Sequence, residues 1–188
     1  YGRAQRVFGR LSQALESLGQ VSPHDPAHLD ALELAARILK QLGQNEQALK
    51  TWQRVLQSRP DSVEVNYELG SLAHKSNALA LALRHLEKVV SLKSEHLPAL
   101  LALGEIYLKQ GRHDLAEDRL QKVLRLQPDN PTALAGLAGC RQEQYLFDEA
   151  LGYYKRAVEA DPKNPDFHFR MGFLALQLGN LEAAVTAL

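Results

Sequence analysis

Small and bulky apolar residues recur along the chain with a period of 34. Displacing the sequence by that interval aligns Ala14, Ala48, Ala82, Ala116, Ala150 and Ala184 in one column. A second column, of small residues, reads Gly2, Ala36, Gly70, Gly104, Ala138 and Gly172. Large side chains fill a third, Leu18, Trp52, Leu86, Leu120, Tyr154 and Leu188, and Val21, Val55, Val89, Val123 and Ala157 follow three residues later. Self-similarity at this spacing is the mark of stacked repeats, each one a supersecondary unit that buries its apolar face on its neighbours.

Each column has a physical meaning. A glycine or alanine lets two helices touch, and the bulky residue opposite fills the space so left, contributing about 1.5 to 3 kcal/mol when buried. Gly9, Gly43, Asn77, Gly111 and Gly179 stand seven residues after the small column, where a helix must end in a left-handed residue. Tyr145 takes that place in one unit, so a distorted turn is expected there. Pro26, Pro60, Pro128 and Pro162, with Ser94 in the same column, close the second helix. Asn130-Pro131 and Asn164-Pro165 open the next one as an N-cap followed by proline at the first helical position. Each unit is therefore predicted to be two helices joined by a short turn.

These columns resemble the pattern of the tetratricopeptide repeat (TPR) family, Trp-x2-Leu-Gly-x2-Tyr, then Ala-x3-Phe, then Pro. Leu100, Leu103-Gly104, Tyr107, Ala116, Leu120 and Pro128 fall on those positions. The resemblance covers the whole chain and implies an all-α fold, a right-handed superhelical solenoid of antiparallel helix pairs. In that register one TPR array occupies 1–188: a partial repeat at 1–28, complete repeats at 29–62, 63–96, 97–130 and 131–164, and a partial repeat at 165–188. Asn66 and His168 stand where a large apolar residue is usual, and Arg141 replaces the tyrosine.

Composition narrows the chemistry. With 45% hydrophobic residues and 22 basic side chains balanced by 22 acidic ones, the chain is too apolar for a disordered tail. It also lacks the positive excess of a nucleic-acid binder. The longest apolar run, Leu97 to Leu108, is broken by Gly104 and Glu105, so no direct membrane insertion is expected and the reading is a soluble protein of the cytoplasm or periplasm. The 7 histidines are scattered over different repeat positions, without metal-ligand spacing. Cys140 shares a column with Ile38, Leu72, Ile106 and Leu174 and reads as a packed core thiol. No phosphate-cradling glycine loop is present, and neither catalysis nor a cofactor or metal is implied.

What remains is a surface. The resemblance implies a concave groove lined by the first helix of each repeat. Its candidate partner-contacting residues are Arg37, Lys40, Tyr67, His74, Lys75, Glu105, Lys109, Gly139, Gln142, Phe169 and Phe173. The early groove is charged with a basic bias, whereas the later one sets Ala135 and Gly139 beside Phe169 and Phe173, a shallow apolar pocket for an anchor side chain of a protein or peptide ligand. The competing reading packs the two phenylalanines on a following repeat. The groove lacks the Lys and Asn pairs of chaperone-tail receptors, carrying Glu33 and Arg37, Tyr67 and Ser71, Leu101 and Glu105 in their places. The asparagine ladder of the family's sugar-transferring enzyme is absent too, with Leu34, Glu68, Ala102, Gly136 and Arg170 at those positions.

The functional expectation is a non-catalytic protein-protein interaction scaffold. Its alternative is a TPR segment of a larger assembly or enzyme, such as a bacterial exopolysaccharide synthesis or export system. The first and last residues fall inside helices in this register, which leaves Leu174, Leu178, Leu181, Val185 and Leu188 as an uncapped apolar face. End-to-end self-association through such uncapped repeats is expected. Charge is also uneven, with net +3 over residues 1–94 and net −3 over 95–188.

Overall fold

The structure, a computed structural model, describes residues 2–180 and 184, with side chains from residue 9 onward. Ten helices run through them in order: α1 (Gly2–Gly19), α2 (His28–Gln41), α3 (Asn45–Ser58), α4 (Val63–Lys75), α5 (Leu79–Leu92), α6 (Leu97–Lys109), α7 (His113–Leu126), α8 (Pro131–Glu143), α9 (Phe147–Ala160) and α10 (Pro165–Gln177). The fold is all-α, and α2 packs on α3, α4 on α5, α6 on α7 and α8 on α9. None of these helices is long and apolar enough to cross a membrane. The chain divides into two compact units, Tyr1–Leu92 and Lys93–Leu188. Leu181, Val185 and Leu188, three of the residues expected to form an apolar end face, lie outside the described residues.

Helices α4, α6, α8 and α10 each start on a side-chain cap, two of them at the Asn-Pro signals, whereas α2 starts at Ala27 without one. Asn130 Oδ1 accepts from the Ala133 N–H at 3.0 Å and Asn164 Oδ1 from the Asp166 N–H at 3.1 Å. Ser62 Oγ and His96 Nδ1 do the same at the starts of α4 and α6, accepting from Val65 and Ala99. Such caps satisfy donors that the helix leaves open at its first turn.

In the first unit Trp52, Ala48 and Val55 of α3 pack against Ala36 and Leu39 of α2 and Val65, Leu69 and Leu72 of α4. Leu86 of α5 presses on Gly70 of α4 so closely that a Cβ there would lie 2.7 Å from its Cγ. Asn66 and His85 are buried in this otherwise apolar interior. Asn66 Nδ2 donates to the carbonyls of Pro60 and Ser62, and its Oδ1 lies 2.9 Å from His85 Nδ1. Arg84, which can only donate, reaches His85 Nε2 at 3.3 Å. Nε2 is therefore the acceptor, Nδ1 carries the proton, and the imidazole is neutral. Burial, followed by the charge of Arg84, lowers the His85 pKa.

One expectation fails here. A turn was expected at Gly9, yet α1 runs through it from Gly2 to Gly19. Nothing lies within 4 Å of a Cβ built on Gly9, so no neighbouring helix rewards a turn. A glycine inside a helix costs only about 1 kcal/mol.

In the second unit Leu120 of α7 is clamped between two glycines. A Cβ on Gly104 of α6 would lie 2.7 Å from its Cδ2, and one on Gly136 of α8 would lie 2.7 Å from its Cδ1. Tyr154, Ala150 and Ala157 of α9 fill the next interior with Leu134 and Ala138 of α8 and Phe167, Met171 and Leu174 of α10. Arg141 ties three helices together. Its Nη1 and Nη2 grip the Glu117 carboxylate of α7 at 2.7 and 2.6 Å, and its Nε lies 2.9 Å from Glu149 of α9. This grip lowers the Glu117 pKa and raises that of Arg141.

The turn at Tyr145 is not distorted. Its N–H bonds to the Gln142 carbonyl and that of Leu146 to the Arg141 carbonyl, the same pattern that Gly111 and Arg112 make with Leu108 and Tyr107. The tyrosine adopts the left-handed conformation itself, at φ 62°, as Asn77 does at 58° and Gly111 at 69°. For a residue with a Cβ this costs roughly 1–2 kcal/mol.

Two outcomes are expected from these features. Gly111→Ala, whose Cβ would meet nothing closer than His113 Nε2 at 4.0 Å, should lose about 1 kcal/mol of stability from backbone strain, whereas Tyr145→Gly should keep or raise the denaturation midpoint. Equal losses in both would refute the strain argument. The second outcome concerns acid. A depressed His85 pKa means that its contribution is complete above the unfolded-state pKa near 6.5 and is lost as the pH falls from there toward the folded value. Thermal unfolding between pH 7.5 and 5 should show a smaller acid-induced drop for His85→Gln than for the parent chain.

Candidate partner-binding surface

In the first unit the candidate partner-contacting residues lie on α2 and α4. Arg37 and Lys75 are exposed, and Lys40, Tyr67 and His74 are half-buried. Neighbouring carboxylates offset part of the basic bias read from the sequence. Lys40 Nζ lies 2.5 Å from Glu68 Oε2, while Arg59 Nη1 bridges Asp30 at 2.7 Å and Glu33 at 3.1 Å. Arg37 and Lys75 form no ion pair among the described residues. The cationic character of this face rests on them.

The second unit holds a cavity of about 280 Å³ over α6, α8 and α10. Leu101 and Leu108 of α6, Leu120 of α7, Ala135, Gly136 and Gly139 of α8 and Phe167 of α10 supply its apolar wall. Its polar rim is Glu105, Thr132, Asp166 and Arg170. Lys109 neutralises Glu105 at 2.8 Å, and Arg170 pairs with Asp166 at 2.7 Å. Asp166, and behind it the Tyr154 hydroxyl, raise the Arg170 pKa, so this guanidinium is a fixed charge at the cavity edge. Gln142, one turn beyond Gly139, accepts from the Tyr154 hydroxyl at 3.4 Å.

The structure thus brings Glu105 and Gly139 to one cavity, with Lys109 at its edge. It does not bring Phe169 and Phe173 there. Those rings stack on each other at 6.0 Å and are 69% and 49% exposed. The reason is rotation about the helix axis. Phe167 and Arg170, three apart, share the side of α10 that meets α8, whereas Phe169 lies two residues, or about 200°, from Phe167. Repeat register alone hid Phe167 and Arg170, although the Asp166 and Arg170 spacing of four was a readable helix ion pair.

Cys140 is buried with its Sγ 3.8 Å from the His113 carbonyl, and burial, then the charge of Glu117, pushes the thiol up to about 11. Among the described residues no group of three or more His, Cys, Asp and Glu could hold a metal ion.

Two glycines of α8 differ in what packing asks of them. Gly136 is needed for packing, because Leu120, held on its other side by Gly104, has no room to retreat. Gly139 is not, since nothing lies within 4 Å of a Cβ built on it. Gly139→Ala is therefore expected to stabilise the fold by about 0.5–1 kcal/mol, and Gly136→Ala to destabilise it by about 1–3 kcal/mol. Denaturant titration of both variants checks the pair, and a loss at Gly139 would mean that its surroundings are tighter than described.

Three family models match the chain: a tetratricopeptide repeat over residues 101–165, a TPR repeat over 36–77 and a second tetratricopeptide repeat over 153–186. No curated protein sequence matches it. Solved structures do. A tetratricopeptide repeat protein from Parabacteroides merdae is 20% identical, with a TM-score of 0.82 over 95% of this chain and 71% of that one. MamA from Desulfovibrio magneticus is 19% identical, with a TM-score of 0.78 over 85% of this chain and 90% of that one. Another MamA structure is 24% identical, with a TM-score of 0.75 over 87% and 95%. At such identities the likeness carries the fold alone. With repeat models matching in both units, and bulky side chains set into small ones at the family's spacing, the chain belongs to the tetratricopeptide repeat family.

Proposed function

We propose that the face of α6, α8 and α10 holds a partner polypeptide and seats one of its apolar side chains in the cavity over Gly139. Repeats of this family typically mediate protein-protein interactions. The observation that carries the reading is Gly139 itself: a glycine in mid-helix, destabilising relative to alanine, at a point where no neighbour needs its smallness. What it provides is open volume above an apolar floor, flanked by two ion pairs. Such a site suits an aliphatic or aromatic anchor with polar residues on either side. In the first unit Arg37 and Lys75 suit acidic residues of a ligand.

Selection of peptides from a random display library on the intact chain tests this. The expected ligands share one apolar position, and their affinity should fall at least about tenfold for Gly139→Phe, whose Cβ meets nothing within 4 Å and whose ring would take up cavity volume. Circular dichroism verifies that the variant folds. Ligands with no common apolar residue, or an unchanged affinity in the folded variant, would remove the proposal.

A further inference from the structure

The packing of the fold gives no reason to keep Tyr145. Its backbone is left-handed where the corresponding turns use Gly43, Asn77, Gly111 and Gly179, and its ring is 80% exposed, so the core gains nothing from it. The ring stands edge-on to Phe147, with centroids 6.0 Å apart and planes at 88°. Together these rings form one corner of a cavity of about 500 Å³, lined otherwise by Gln142, Glu143, Gln177 and Leu178. It shares no lining residue with the cavity over Gly139.

The charge around this corner is negative and unneutralised. Glu143 at the end of α8 and Asp148 at the start of α9 form no ion pair among the described residues. The nearest guanidinium in sequence, Arg141, is committed to Glu117 and Glu149. One hairpin earlier the chain shows the contact this corner lacks, for the Arg112 guanidinium carbon sits 4.8 Å from the centroid of the Tyr107 ring. At Tyr145 no cation stands over the ring among the described residues.

We propose that the corner formed by Tyr145, Phe147 and Glu143 binds the guanidinium of an arginine side chain presented by a partner polypeptide. A planar cation lies flat on an exposed tyrosine ring and donates its N–H fork to a carboxylate. Arginine fits better than lysine, because its group is planar, weakly hydrated and carries donors enough for the Gln142 and Gln177 amide oxygens as well. Retention of an aromatic residue at a strained, exposed turn position follows from that task.

The test is an NMR titration of the intact chain with acetyl-Gly-Arg-Gly-amide and with the same peptide carrying citrulline, which keeps the shape and loses the charge. The arginine peptide should give saturable shifts at residues 142–147 and 177–178 that weaken with added salt. The citrulline peptide should give none. Tyr145→Gly, which fits the left-handed backbone and so keeps the fold, and Glu143→Gln should each raise the dissociation constant about fivefold or more. Equal response to citrulline, undiminished binding in either variant, or shifts centred elsewhere would overturn the assignment.

Discussion

Between α4 and α5, and from α6 through α7 to α8, the spacing of the helices rests on one kind of contact, a leucine set against a position without a side chain. In the second unit Leu120 fills the gap left by Gly104 on one side and Gly136 on the other, and it is 2% exposed. In the first, Leu86 and Gly70 make the same fit. Interiors packed to this density do not absorb an added methyl group without moving a helix. The cavity over α6 and α8 is downstream of that fit. Because Leu120 draws α6 and α8 onto α7, Leu101 and Leu108 stand opposite Ala135 and Gly139 at a distance that leaves a pocket.

Asn66 enters the core where backbone carbonyls wait for it. Asn66 donates to the Pro60 carbonyl and, at the same repeat position, His168 Nε2 lies 2.9 Å from the Pro162 carbonyl. A proline near the end of a helix leaves the chain in a turn whose carbonyls have no ladder partner. An amide or imidazole six residues on can reach one of them, so the loss of an apolar side chain is offset by a hydrogen bond. Asn66 goes further and passes the bond to His85.

The hairpins, their closing glycines and the leucine-glycine contacts were legible because each depends on residues at fixed offsets within one repeat. The N-caps were legible for the same reason. Gly9 misled because a glycine permits a left-handed turn without requiring one, and only a packed neighbour decides. Tyr145 misled in the opposite sense, since hydrogen bonds of the turn hold even a bulky residue left-handed. The site was half legible. Ala135 and Gly139 could be placed by repeat position, but whether Phe169 or Phe167 meets them depends on the rotation of α10, which a register does not encode. Ion pairs between residues far apart in sequence, such as Lys40 with Glu68 and Arg59 with Asp30, were equally out of reach.

The grip of Arg141 on Glu117 has a consequence for how the molecule meets a changing medium. Its two side chains are 16% and 20% exposed, whereas those of a surface pair such as Lys50 and Glu46 are 71% and 81% exposed. Dissolved ions screen the second kind of pair and hardly reach the first. Concentrated salt therefore erases much of the charge pattern on the exposed surface, while the joint between α7 and α8 stays closed. The exposed charge pattern and the architecture thus respond to ionic strength separately, and the first can be screened without loosening the second.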